Sequence, residues 1–172
     1  QVGTVREATD WLMGRPRWGA GLLMLADETG DVAGLELSHG QSQVRRPAGE
    51  DDVLFHANCH QTPEMQAVQV PPTARWSRHA PRALRGRRIL QSAETRTRRL
   101  SELLAPPRRL GLDDLTRVLA DHGADGVPSM DTICLHSDYW QTTATLQLLP
   151  AARKLRVSYT AACQARYHEF EL

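Results

Sequence analysis

The spacing of apolar residues changes several times along this chain, and each change marks an element. Residues 4–13 repeat at helical spacing, with Val5, Ala8 and Leu12 on one face, and Thr4 with Glu7 makes a T-x-x-E capping box. Gly and Pro break the pattern over 14–19. Two apolar runs, 22–26 and 32–37, flank the polar stretch Asp27-Glu28-Thr29-Gly30-Asp31 and predict a β-hairpin. Further strands are expected at 41–45 and 53–57, separated by a turn at 47–52. Pro71, Pro72 and Pro81 predict loop with at most short helix over 71–88. A helix is expected at 92–104, with the stripe Leu100, Leu103, Leu104, ended by Pro106 and Pro107. A second, 113–122, is capped by Asp113 and stopped by Gly123. Strands follow at 132–136, 142–149 and 155–159, the last two joined by a hairpin through Pro150-Ala151-Ala152-Arg153. Helix, four strands, two helices and three strands make an α+β chain with mainly antiparallel strands, read as a single domain over 1–172.

Composition narrows this picture. With 41% hydrophobic and 24% charged residues, composition favours a packed core over wholesale disorder. No apolar run approaches the roughly 20 residues that span a bilayer. The chain opens on Gln1 and not Met, which reads as a processed or incomplete chain. Three cysteines without CxxC spacing argue against a disulfide scaffold and for reduced thiols in a cytoplasm. There are 20 Arg against the single Lys154, only Ile89 and Ile133, and one Asn, Asn58. That bias reads as a GC-rich bacterial genome, and it makes Asn58 conspicuous.

The net charge of +1 hides a partition. Residues 1–74 carry −5, residues 75–110 carry +9 and residues 111–172 carry −3. The basic stretch from Arg75 to Arg109 could meet a polyanion or RNA. It holds one aromatic, Trp76, and no binding motif, so a solvated face balancing acidic flanks is the stronger reading. Nucleic acid is therefore the lesser expectation.

Other clusters have ordinary explanations beside the chemical ones. His56, Cys59 and His60, with Cys134 and His136, are soft ligands, but their spacing matches no structural zinc pattern. Such residues on strands are more often packing residues, so no metal and no cofactor are expected. Cys134 and His136 share a strand face and could form a nucleophile–base pair. No feature that would activate the thiol is evident, and a structural thiol is the better reading. Asn58, at the end of the 53–57 strand, could donate to an oxyanion or could simply turn the chain. Position alone favours the turn.

Several blocks together resemble one family. They are Thr4 to Leu12, Leu22 to Asp27 with Gly30 and Gly34-Leu35-Glu36, Val53 to His60, Ser92 to Leu100, Thr132 to His136, and Thr143 to Cys163 with Tyr167 beyond. In this order they resemble the acyl-coenzyme A:6-aminopenicillanic acid acyltransferase family, a cysteine-peptidase-like branch of the N-terminal-nucleophile hydrolases. The chain departs from that pattern at Cys59-His60, in the Ser92–Arg96 spacing and in the absence of Gly before Cys163.

The resemblance implies part of an αββα sandwich, an acyltransferase or amidohydrolase acting on amide or thioester bonds through an acyl-cysteine. The family's nucleophile is an N-terminal Cys freed by self-cleavage, and it falls upstream of the blocks seen here. The chain would then be the C-terminal portion of such an enzyme, inactive alone, with exposed apolar surface where the missing part belongs. Asn58 matches the family's oxyanion donor, and Arg96 the helix Arg near the pocket. Arg96 is equally well read as one more solvated Arg. Implied partners are a small-molecule amide, peptide or acyl-CoA substrate and the missing N-terminal part, with homo-oligomerisation also compatible and no membrane partner.

Overall fold

The computed structural model describes residues 2–50 and 52–172. It is a mixed α+β structure with two antiparallel three-stranded sheets. The first follows helix α1 (Val5–Met13) and orders β1 (Gly21–Ala26), β2 (Val32–Leu37) and β3 (Ser42–Arg45). The second orders β4 (Thr145–Leu149), β5 (Lys154–Ser158) and β6 (His168–Glu171). Between them lie α2 (Pro63–Gln66), α3 (Gln91–Leu104) and α4 (Leu112–Leu119). No helix among the described residues is long and apolar enough to cross a membrane.

Asp27 ties α1 to the first hairpin. Its Oδ1 accepts from Thr29 N–H, Thr29 Oγ1 and Asp31 N–H, shaping the turn, in which Gly30 supplies a φ of +88°. Its Oδ2 accepts the Val5 N–H at 2.9 Å, one of the donors that the first helical turn leaves unpaired. These bonds, the Thr29 hydroxyl first, hold the Asp27 carboxyl below its usual pKa. Thr4 Oγ1 caps the Glu7 N–H as the sequence predicts, while the Glu7 carboxylate reaches back to Gly3 N–H.

β2 is the central strand and is buried on both faces. Alternation puts Ala33, Leu35 and Leu37 under Val5, Leu12 and Met13 of α1. Gly34 and Glu36 face the other way, towards residues 54–62. Gly34 keeps that approach close, with Leu54 Cδ1 4.0 Å from where a Cβ would stand.

Residues 53–57 are not a strand, so three strands and not four precede the helices. This segment joins neither edge of the β1-β2-β3 sheet. Its Phe55 carbonyl instead accepts from the Arg45 and Gln61 side chains, and Val53, Phe55 and Ala57 pack against Leu100 and Leu104 of α3. The 92–104 helix is α3, starting one residue early. The 113–122 helix is shorter. Its cap is Gly111, whose N–H donates to Asp114 Oδ2, so Asp114 rather than Asp113 closes the first turn.

Residues 132–136 also lack a ladder. Cys134 N–H donates to Asp121 O, His136 N–H to Ser129 O and Leu135 N–H to Thr142 Oγ1, which makes a self-bonded loop. The strand expected over 142–149 begins only at Thr145. β6 escaped notice because His168-Glu169-Phe170-Glu171 offers one apolar side chain.

The second sheet has one apolar and one polar face. Register puts Leu146, Leu148, Leu155, Val157 and Phe170 together, and Thr145, Gln147, Arg156, Ser158 and Glu169 opposite. The polar face is the bonded one: Gln147 Nε2 donates to Thr116 of α4 and its Oε1 accepts from Arg156. Leu146 and Leu148 are 57% and 67% exposed.

Leu35→Ala should therefore cost about 2–5 kcal/mol in urea unfolding, while Leu148→Ala should stay within about 0.5 kcal/mol. Equal effects would contradict this placement of the core.

Candidate active site

Within residues 55–62, His56, Asn58, Cys59 and His60 form one wall of a cleft of about 450 Å³ whose other side includes Gly21, Leu22 and Ser38. The segment is fixed from three directions. From β2, Glu36 is 2% exposed and accepts Gln61 N–H at 2.8 Å, Thr62 N–H at 3.1 Å and Thr62 Oγ1 at 2.8 Å. From β3, Arg45 donates to Phe55 O at 2.9 Å and lies 3.9 Å from Glu36. From α3, Thr97 Oγ1 meets Cys59 Sγ at 3.3 Å, and Ala93 with Leu90 buries Cys59.

Between these anchors Asn58 adopts φ +67°, a left-handed conformation that Asn tolerates better than most residues. The turn expected from its position is thus present. It also brings Asn58 to Arg96, whose Nη1 donates to Asn58 Oδ1 at 3.3 Å. Guanidinium has only donors, so the amide atom facing it is the oxygen and the NH₂ group points away. No described residue accepts from that NH₂, and Asn58 lines the cleft.

Arg96 is held in turn by Ser92. The Ser92 hydroxyl donates to Met130 O at 2.6 Å and so presents a lone pair to Arg96 Nε at 3.4 Å. Burial lowers the Arg96 pKa, and Cys59 and Asp131 act oppositely. Its ordinary value lies so far above neutrality that the group stays cationic.

The sequence pointed to Asn58 and Arg96, and the structure places them in contact. It did not single out Glu36 or Thr97. An acid inside the apolar run Val32–Leu37 was the available signal for Glu36; Thr97 had none. Two buried nitrogens in the cleft wall lack hydrogen-bond partners, His56 Nδ1 and His60 Nδ1, the latter 3.8 Å from Glu36. His56, Cys59 and His60 do not converge as ligands. Cys134 and His136 do meet, at 3.4 Å, as part of a different group.

The Arg-rich segment is largely engaged with its own chain. Arg75 bonds Gly86 O, Arg85 bonds Ala80 O, Arg87 pairs with Asp131 and Arg88 with Glu94. Arg99 grips Asp121 through two nitrogens at 3.0 and 2.8 Å.

Two predictions follow from this wall. Glu36→Ala leaves two backbone donors and Arg45 without their acceptor and should cost about 3–5 kcal/mol; Glu36→Gln, which keeps an acceptor, should cost less in the same unfolding assay. His56 has a lowered pKa, chiefly from burial and then from Arg45. Below the ordinary value of about 6.5 the unfolded chain takes up a proton that the folded one resists, so folding weakens as pH falls through that range. The stability difference between the wild type and His56→Gln should shift against the wild type between neutral pH and pH about 5. A difference that does not change with pH would refute this.

No family model matches the chain and no characterised protein matches it in sequence, which leaves the geometry of this cleft as the ground for its function.

Proposed function

We propose that this chain supplies the oxyanion-holding wall of an acyl-transfer or amide-hydrolysis site, as the C-terminal portion of an αββα N-terminal-nucleophile enzyme. The observation that carries the reading is the Arg96–Asn58 contact, which aims the free NH₂ of Asn58 away from Arg96. As a nucleophile attacks an amide or thioester carbonyl, negative charge gathers on the oxygen. Asn58 Nδ2–H donates to it, and the Arg96 cation on Oδ1 polarises that donor further. Glu36, Arg45 and Thr97 fix the wall beforehand, so little reorganisation is needed when the charge develops.

The attacking thiol is an N-terminal cysteine supplied by sequence upstream. Cys59 is buried against α3, and Cys134 and Cys163 lie with His136 in the other group. The open apolar face of the second sheet fits a layer meant for burial. Leu146 and Leu148 line an apolar trough of about 840 Å³ with Met24, Phe55 and Leu115. A small amide, a peptide or an acyl-CoA is the substrate class, and three free cysteines suit a cytoplasmic protein. The polyanion-binding alternative is the weaker reading, since Arg75, Arg85, Arg87, Arg88 and Arg99 already serve the chain's own carbonyls and carboxylates.

In the protein with its upstream sequence, Asn58→Ala should lower kcat about 100- to 1000-fold with little change in KM. Wild-type turnover in that variant would remove Asn58 from the site. The 172 residues alone should not hydrolyse amides or thioesters; Asn58-dependent turnover by them would place the nucleophile within this chain.

A further inference from the structure

Far from Asn58 in sequence, four side chains converge from three irregular segments. His122 follows α4, Cys134 and His136 sit on the self-bonded loop, and Cys163 lies in the short 3-10 turn Ala162–Gln164 before β6. One donor atom from each lies within 4.8 Å of the other three. His136 Nε2 is 3.4 Å from Cys134 Sγ and 3.3 Å from Cys163 Sγ. The two imidazole rings stand at 78°, with centroids 5.1 Å apart. His122 Nε2 is buried and has no hydrogen-bond partner.

We propose that His122, Cys134, His136 and Cys163 bind a structural zinc ion. Zinc bonds of about 2.3 Å to sulfur and 2.0–2.1 Å to nitrogen place tetrahedral ligand atoms about 3.3–3.8 Å apart. Both His136–thiol distances already match, and the widest pair needs to close by only about 1 Å. Two thiols against one ring nitrogen make a poor hydrogen-bonding set, because a lone imidazole nitrogen cannot serve both well. A divalent borderline-soft cation satisfies all four atoms, including the unpartnered nitrogen. Its binding forms two Zn–S bonds and releases two thiol protons to water.

Four protein ligands leave no open position, so the ion would be structural and not catalytic. It would staple the end of α4, the loop and the turn before β6, which share few buried apolar side chains. Cys134, Ala161 and Ala162 with Leu119 and Ala120 are the whole local cluster. The ligand spacing, His122 to Cys134 to His136 to Cys163, matches no common zinc pattern. The site does not depend on the acyl-transfer reading.

The test is metal content and spectroscopy of the reduced chain. Purified with zinc and freed of loose metal, it should retain one ion per chain. Replacing zinc by cobalt should give tetrahedral ligand-field bands with thiolate charge transfer. Cys163→Ser and His122→Ala should each lose that charge-transfer signature or weaken binding at least tenfold, while Cys59→Ser should keep both. The wild-type cobalt spectrum stands even where a variant fails to fold. Three outcomes would overturn the site: no retained zinc in reduced protein, a cobalt spectrum without thiolate ligation, or equal loss in Cys59→Ser. A Cys134–Cys163 disulfide found by mass spectrometry in protein that takes up no metal after reduction would assign the pair to redox chemistry instead.

Discussion

The carboxylate of Glu36 sets the path of everything that follows the first sheet. It lies in the central strand, on the face away from α1, and is buried. A buried carboxylate needs donors, and the chain supplies them by folding Gln61 and Thr62 back over the sheet. That return makes residues 55–62 a wall instead of a fourth strand. It also sets the segment between β2 and α3, so that Cys59 enters the α3 surface and Asn58 turns outward. A buried acid in the central strand thus holds the returning segment as one wall of a cleft.

Much of the first half was legible because its signals are local. The capping residue Thr4, the Asp27 turn with Gly30, and the alternation in β2 each specify an element without reference to distant parts. The 53–57 and 132–136 segments were misread for a common reason. Each has strand-like composition, yet side chains and loop carbonyls take its backbone groups in place of a ladder, which is a tertiary fact invisible in a window of residues. Asn58 stood out by composition and Arg96 by resemblance. Their contact depends on the Glu36 clamp and the position of α3. The His122–Cys163 group was the least legible, since its members are brought together by a loop with no periodicity.

The arginine excess also changes meaning in the fold. A long segment with little helix or sheet must satisfy its backbone carbonyls somehow. Arg75, Arg85 and Arg88 donate to Gly86, Ala80 and Pro72 carbonyls, and so brace the loop from within. Arg87 fastens it to Asp131. The fold uses the five donors of the guanidinium as braces.

Asp131 belongs to the loop that links the two sites. At one end, Met130 O takes the Ser92 hydroxyl proton, which obliges Ser92 to accept from Arg96 and so fixes the guanidinium that holds Asn58. At the other end, the same loop carries Cys134 and His136. Thr132 Oγ1 joins the two ends: it accepts from Ser129 N–H, and its single proton lies within reach of Cys134 O at 2.7 Å. An ion bound as proposed at Cys134 and His136 would therefore also restrain Met130, and through Ser92 the direction of the Asn58 amide. A structural staple at one end of this hydrogen-bonded loop would thus bear on the orientation of an amide that it never touches.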